Sequence, residues 1–121
     1  MATRYFVRSV DESVAFYVDN LGFEIVENFS PAIAILKRGT DELWLAGPPA
    51  SASKPMPDGT VPEPGGWNRI VVQVEDIEAF VKRLREIGCR FRNEPFSGPG
   101  GTQVLIEDPD GNPIEIFEPR R

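Results

Sequence analysis

Ser9-Val10-Asp11-Glu12-Ser13-Val14-Ala15-Phe16-Tyr17-Val18-Asp19-Asn20-Leu21-Gly22 and Asp76-Ile77-Glu78-Ala79-Phe80-Val81-Lys82-Arg83-Leu84-Arg85-Glu86-Ile87-Gly88 read as one helix written twice. Each opens on a residue whose side-chain oxygen caps a first turn, Ser9 with Glu12 three residues on and Asp76. Apolar side chains follow at helical spacing: Val10, Val14, Tyr17 and Leu21 in the first, Ile77, Val81, Leu84 and Ile87 in the second. Glu78 and Lys82 stand one turn apart with opposite charge. Each closes on a glycine, the residue that takes positive φ without strain. Ser9 and Asp76 are 67 residues apart, as are Val10 and Ile77 and also Val14 and Val81; Gly22 and Gly88 are 66 apart.

The surroundings repeat as well. Thr3 to Val10 and Asn68 to Val74 are strand-like runs before the two helices. After the first helix come strand signals at Phe23 to Asn28, Ala32 to Arg38 and Glu42 to Ala46, parted by Ser30-Pro31 and Gly39-Thr40-Asp41. After the second come Arg90 to Asn93, Thr102 to Glu107 and Pro113 to Glu118, with a strong turn at Asp108-Pro109-Asp110-Gly111-Asn112. The chain is therefore an α+β protein built from two βαβββ modules. We place module one at 1–47, a proline-rich loop at 48–66 and module two at 67–121, within one domain. Residues 48–64 hold six of the twelve prolines, which excludes a helix or central strand there. A loop of that length is a connector or a lid.

Period-two alternation sorts the strand side chains onto two faces. Tyr5, Val7, Leu43, Leu45, Ile70, Val72, Val74, Ile114 and Ile116 go to the helix side. Arg4, Phe6, Arg8, Glu42, Trp44, Arg69, Val71, Gln73, Glu115 and Phe117 go to the opposite side.

Composition excludes much. The 121 residues carry 13 Lys+Arg against 19 Asp+Glu, a net charge of −6, which argues against nucleic acid or an anionic membrane as partner and favours a neutral or cationic small molecule. No histidine is present, so triads and zinc sites built on imidazole are ruled out. The single Cys89 permits no internal disulfide and reads as a buried small hydrophobe. A carboxylate-only site for a hard cation survives. The first residues lack a signal-peptide core and no apolar run is long enough to span a bilayer, so the sequence reads as cytoplasmic. Gly98 to Gly101 is a hairpin turn and no phosphate loop, for it does not lead from strand to helix. Asp108 and Asp110 serve a turn; calcium ligands at EF-hand spacing are missing.

The run from Val10 to Tyr17, then Leu21-Gly22-Phe23, Val74-Glu75-Asp76-Ile77, Leu84 to Gly88 and above all Asp108-Pro109-Asp110-Gly111-Asn112-Pro113-Ile114-Glu115 resembles the vicinal oxygen chelate superfamily. That superfamily contains glyoxalase I, extradiol dioxygenases, and the bleomycin and fosfomycin resistance proteins. The resemblance implies cupped mixed sheets around a cleft, helices on the convex faces, and a homodimer, swapped or unswapped. It also implies a divalent metal held from the opening and closing strands of each half. Those positions here are Ala2, Trp44, Arg69 and Glu115, and only Glu115 keeps the family's ligand type. Arg69 is a permanent cation at a cation's place. The expectation is therefore no metal and no cofactor. Arg69 and Glu115 pair with each other, either as an anchor for a ligand or as an internal ion pair replacing the metal, with small net stabilisation.

The candidate ligand-binding residues are Arg69, Glu115, Trp44, Phe6, Gln73, Glu42 and Phe117, the aromatic ones for stacking on a planar ring. Trp67 is a cleft-rim or dimer-contact residue. The leading reading is metal-independent binding and sequestration of a cationic or planar aromatic molecule, as in the bleomycin resistance proteins, with no catalytic residue. The alternative is a glyoxalase-like lyase or dioxygenase-type enzyme with a non-standard site using Glu115 and Glu42. A third is a small accessory module with a vestigial cleft.

Overall fold

The computed structural model describes all 121 residues, in two compact units, Met1–Gly65 and Gly66–Arg121. In the first unit β1 (Ala2–Phe6) leads to α1 (Val10–Leu21), then β2 (Glu24–Phe29), β3 (Ile33–Arg38) and β4 (Asp41–Ala46). The sheet order is β1-β4-β3-β2, with β1 parallel to β4 and the other pairs antiparallel. In the second unit β5 (Ile70–Gln73) leads to α2 (Ile77–Glu86), then β6 (Arg90–Phe91), β7 (Phe96–Gly98), β8 (Gly101–Glu107) and β9 (Pro113–Pro119). Its sheet runs β5-β9-β8-β6, β7 also pairs with β8, and β5 is parallel to β9. Two open mixed sheets with one helix each make this an α+β fold, and each unit threads its sheet in the same way.

Local chemistry sets the helix ends. Ser9 Oγ accepts the Glu12 N–H at 3.2 Å, and Asp76 Oδ1 accepts the Ala79 N–H at 3.1 Å. Glu118 Oε1 on β9 accepts the Ile77 N–H at 2.9 Å, so a closing-strand residue also caps α2. Gly22 ends α1 at φ 75°, and Arg38 Nε donates to the orphan Leu21 carbonyl at 3.0 Å.

Burial follows the two periodicities. In the first unit Val10, Val14, Tyr17 and Leu21 meet Tyr5, Ala34, Leu36, Leu43 and Leu45, all buried. Tyr17 stacks edge-on against Phe23 at 5.5 Å. In the second, Ile77, Val81 and Leu84 lie over the face that carries Val72, Val104, Ile106, Ile114 and Ile116. At roughly 2 kcal/mol per large aliphatic side chain removed from water, these two clusters are the main stabilising term of each unit.

Four details differ from the sequence expectation. β1 stops at Phe6, because the chain must leave the sheet for Ser9 to cap α1; Val7 N–H still donates to Ala46 O at 3.0 Å. α2 stops at Glu86, so Ile87 is its cap and lies half exposed, outside the apolar stripe. β7 is a strand no periodicity announced; it forms the short arm of a hairpin whose turn is Pro99-Gly100. Cys89 is only half-buried. Its thiol lies near the carbonyls of Arg90 and Glu107, and burial pushes its pKa up to about 11. It is a protonated thiol at neutral pH, unlike a reactive cysteine. Residues 48–64 contain only one 3-10 turn, Ser51–Ser53, tied down by Ser53 Oγ donating to Gly47 O at 2.8 Å. No helix is long and apolar enough to cross a membrane.

Candidate functional site

The face of the second sheet opposite α2 is built by cross-strand register. Val71, Glu115 and Leu105 are consecutive partners across β5, β9 and β8; Gln73, Phe117, Gln103 and Phe96 form the next row out to β7. Side chains on one face of such rows touch their neighbours. Arg69, one residue before β5, reaches Glu115. Its Nε and Nη2 both donate to Glu115 Oε1, at 3.1 and 2.8 Å. The pair is partly shielded, with side-chain exposures of 33% and 13%.

A pocket of about 230 Å³ opens over this pair. Trp67 and Phe96 supply aromatic walls, Leu105 an apolar floor, and Asn93 and Gln103 join Arg69 and Glu115 as its polar groups. Asn93 is fixed by accepting the Leu105 N–H at 2.8 Å, which replaces the bond that a longer β6 would have made. Arg92 sits behind Trp67 with its guanidinium carbon 4.7 Å from the ring centroid. Its nitrogens donate to Glu107 Oε2 at 2.8 Å, Gly66 O at 2.8 Å and Gly111 O at 3.0 Å. This one side chain thus holds both the backbone before Trp67 and the ring itself.

The turn feeding β9 is fixed by Asp108, which is 1% exposed. Its Oδ1 accepts the N–H groups of Asp110 and Asn112, and its Oδ2 accepts the Asn112 amide, all at 2.9 Å. Arg90 Nη2 adds bonds to the carbonyls of Asp108 and Pro109. The turn starts the β8–β9 ladder at Glu107 and Pro113, and that register places Glu115 opposite Leu105.

In the first unit, Trp44 and Glu42 project from the sheet face turned away from α1. Trp44 Nε1 donates to Glu42 Oε1 at 2.9 Å, and Arg4 lies 5.2 Å from the Trp44 ring. Phe6 is half-buried two places along β1 from Arg4, which pairs with Trp44.

Of the seven candidate residues, Arg69 and Glu115 line the pocket, and Gln73 and Phe117 lie in the row beside it. Trp44, Glu42 and Phe6 belong to the other unit. Asn93, Phe96, Gln103 and Leu105 were absent from the sequence reading; the Gly98-to-Gly101 hairpin was the signal, because once its arms are paired Phe96 falls opposite Gln103.

No group of three or more His, Cys, Asp or Glu side chains is placed to hold a metal ion. Of the four positions at which the resemblance expects ligands, Ala2, Trp44 and Arg69 offer no lone pair suited to a divalent cation, and the Glu115 oxygen Oε1 is taken by Arg69.

Known proteins fit this geometry. A family profile for the Glyoxalase/Bleomycin resistance protein/Dioxygenase superfamily matches residues 2–116. The uncharacterized protein YwkD of Bacillus subtilis (strain 168) is 28% identical over 117 residues, 89% of this chain and 87% of its own. The crystal structure of lactoylglutathione lyase from Agrobacterium tumefaciens superposes with a TM-score of 0.75 at 24% identity, covering 98% of this chain and 91% of that one. TnmS3, an antibiotic binding protein from Streptomyces sp. CB03234, superposes with a TM-score of 0.71 at 23% identity, covering 99% of this chain and 96% of that one. At such identities these two structures speak for the fold, which serves a lyase and a binding protein alike. With the profile spanning nearly its whole length, the chain belongs to the Glyoxalase/Bleomycin resistance protein/Dioxygenase superfamily.

Proposed function

We propose that this protein binds and sequesters a small molecule without a metal, in the pocket over Arg69 and Glu115. The ion pair itself is the observation that carries this reading: Arg69 Nη2 stands 2.8 Å from Glu115 Oε1, on the one carboxylate at an expected ligand position. A dication about 4 Å from that guanidinium would be repelled by roughly 8 kcal/mol at an effective dielectric of about 20. The remaining lining, two aromatic side chains over an apolar floor with a few polar groups, is the make-up of a recognition pocket. Cys89, protonated at neutral pH, adds no nucleophile. The antibiotic-binding relative of the same fold supports the reading. A homodimer is the assembly we expect, favoured by Ile25, Val26 and Phe29 standing exposed on the edge strand β2.

Elemental analysis of the purified full chain, together with a thermal-shift screen of small molecules in EDTA, tests it. The expected result is metal far below one per chain and at least one stabilising ligand whose effect disappears in Arg69→Ala. Stoichiometric metal released by Glu115→Ala overturns the proposal in favour of a metalloenzyme. EDTA-resistant binding untouched by Arg69→Ala moves the site elsewhere.

A further inference from the structure

The pocket over Arg69 also specifies the charge and shape of its occupant. Resting on the binding function proposed above, we propose that the ligand class is an uncharged, flat, fused-ring molecule with a neighbouring N–H donor and carbonyl acceptor on one edge, as in a lactam or imide. Volume comes first. A cavity of roughly 150 Å³ takes a benzene ring, so about 230 Å³ suits a bicycle or one end of a larger flat molecule.

Charge comes second. Arg69 and Glu115 neutralise one another, so neither a carboxylate nor an ammonium finds an unmatched counter-charge there. One face of Trp67 is already occupied by the Arg92 guanidinium at 4.7 Å. That cation draws on the ring's π density, so the free face receives a neutral ring more readily than a second cation. Both facts overrule the net charge of −6, which taken alone points to a cationic ligand.

Hydrogen-bonding capacity comes third. Arg69 spends Nε and Nη2 on Glu115 and keeps Nη1 as a donor; Glu115 spends Oε1 and keeps Oε2 as an acceptor. Asn93 spends its oxygen on Leu105 and keeps its amide N–H groups. A ligand edge carrying one donor and one acceptor satisfies Glu115 Oε2 and one of these donors together. A ligand lacking its donor would leave the carboxylate oxygen desolvated and unpaired.

Four bicyclic probes separate the possibilities by isothermal titration on the full chain: 2-quinolone (neutral lactam), its N-methyl derivative (donor removed), 1-methylquinolinium (cation) and quinoline-2-carboxylate (anion). The expected result is that 2-quinolone binds at least tenfold more tightly than each of the other three. Glu115→Gln, which offers an amide N–H₂ where the acceptor was, should cost 2-quinolone about tenfold and leave the N-methyl derivative unchanged. Tighter binding of the anion, abolished by Arg69→Ala, or of the cation, abolished by Glu115→Gln, overturns the neutral class while the binding function stands. Equal affinity for the two quinolones, or no binding by any of the four, also overturns it. Stoichiometric metal in the purified chain is the separate outcome that removes the function beneath it.

Discussion

Replacing Asp108 by alanine should destabilise the second unit by about 3 kcal/mol. The carboxylate is 1% exposed and accepts three hydrogen bonds, from the N–H groups of Asp110 and Asn112 and from the Asn112 side-chain amide. Alanine leaves all three donors without that partner. Each buried donor left unmade costs about 1 kcal/mol or somewhat more. In a chain of this length, roughly 3 kcal/mol corresponds to a melting point lower by about 10 °C. Asp108→Asn keeps an oxygen for the two backbone donors and loses only the Asn112 amide bond, so it should cost about a third as much. Asp58 provides the control: its Oδ1 accepts the Thr60 N–H at 3.0 Å in a similar local turn, but in full solvent. Asp58→Ala should leave the melt unchanged, because water replaces the carboxylate. Urea titration followed by circular dichroism measures all three. A loss below about 1 kcal/mol for Asp108→Ala, or equal losses for Asp108→Ala and Asp58→Ala, would refute the claim that the buried carboxylate organises the turn.

Further predictions concern other layers of the molecule. Leu84→Ala, at a fully buried position of α2, should cost about 2–5 kcal/mol, whereas Ile87→Ala, half exposed beyond the last turn, should cost well under 1 kcal/mol; denaturant midpoints compare them. Gly101 has φ 151°, and a Cβ there would strike the Glu118 carbonyl, so Gly101→Ala should disrupt the β7–β8–β9 corner and lower the melting point by several degrees. Cys89 should react with iodoacetamide far more slowly in the native chain than in urea at pH 8. Because its folded pKa of about 11 lies above the ordinary 9.0, the unfolded chain loses the proton first. Stability from this group is therefore full below pH 9 and fades between about 9 and 11, a decline that Cys89→Ala should lack.

What the sequence made legible is what short-range physics decides. The Ser9 and Asp76 caps, the helical stripe from Val10 to Leu21 and the alternation around Glu115 each need only a few neighbouring residues. The structure places each of them on the expected face or helix end. The pairing of Arg69 with Glu115 was also readable, since the two modules repeat one order and alternation turns both positions to the same face; β5 and β9 are parallel neighbours, with Val71 opposite Glu115 and Arg69 two places before it. What escaped the sequence depends on distant partners. Arg92 leaves the β6 strand pattern because its nitrogens find Gly66, Glu107 and Gly111, none of them adjacent to it in the chain. Phe96 enters the pocket only through a three-residue strand, Phe96–Gly98, too short to show a period. Ile87 fits a helical stripe on paper, yet the helix ends one residue before it.

The two tryptophans, Trp44 and Trp67, fall one in each compact unit, and each indole has an arginine beside it. The chain therefore carries an intrinsic optical reporter in either half, each sensitive to whether its own guanidinium neighbour is in place. With Trp44→Phe and Trp67→Phe made in turn, emission would show whether the halves melt in one step or at separate temperatures. The same pair of proteins would reveal which half senses an added compound.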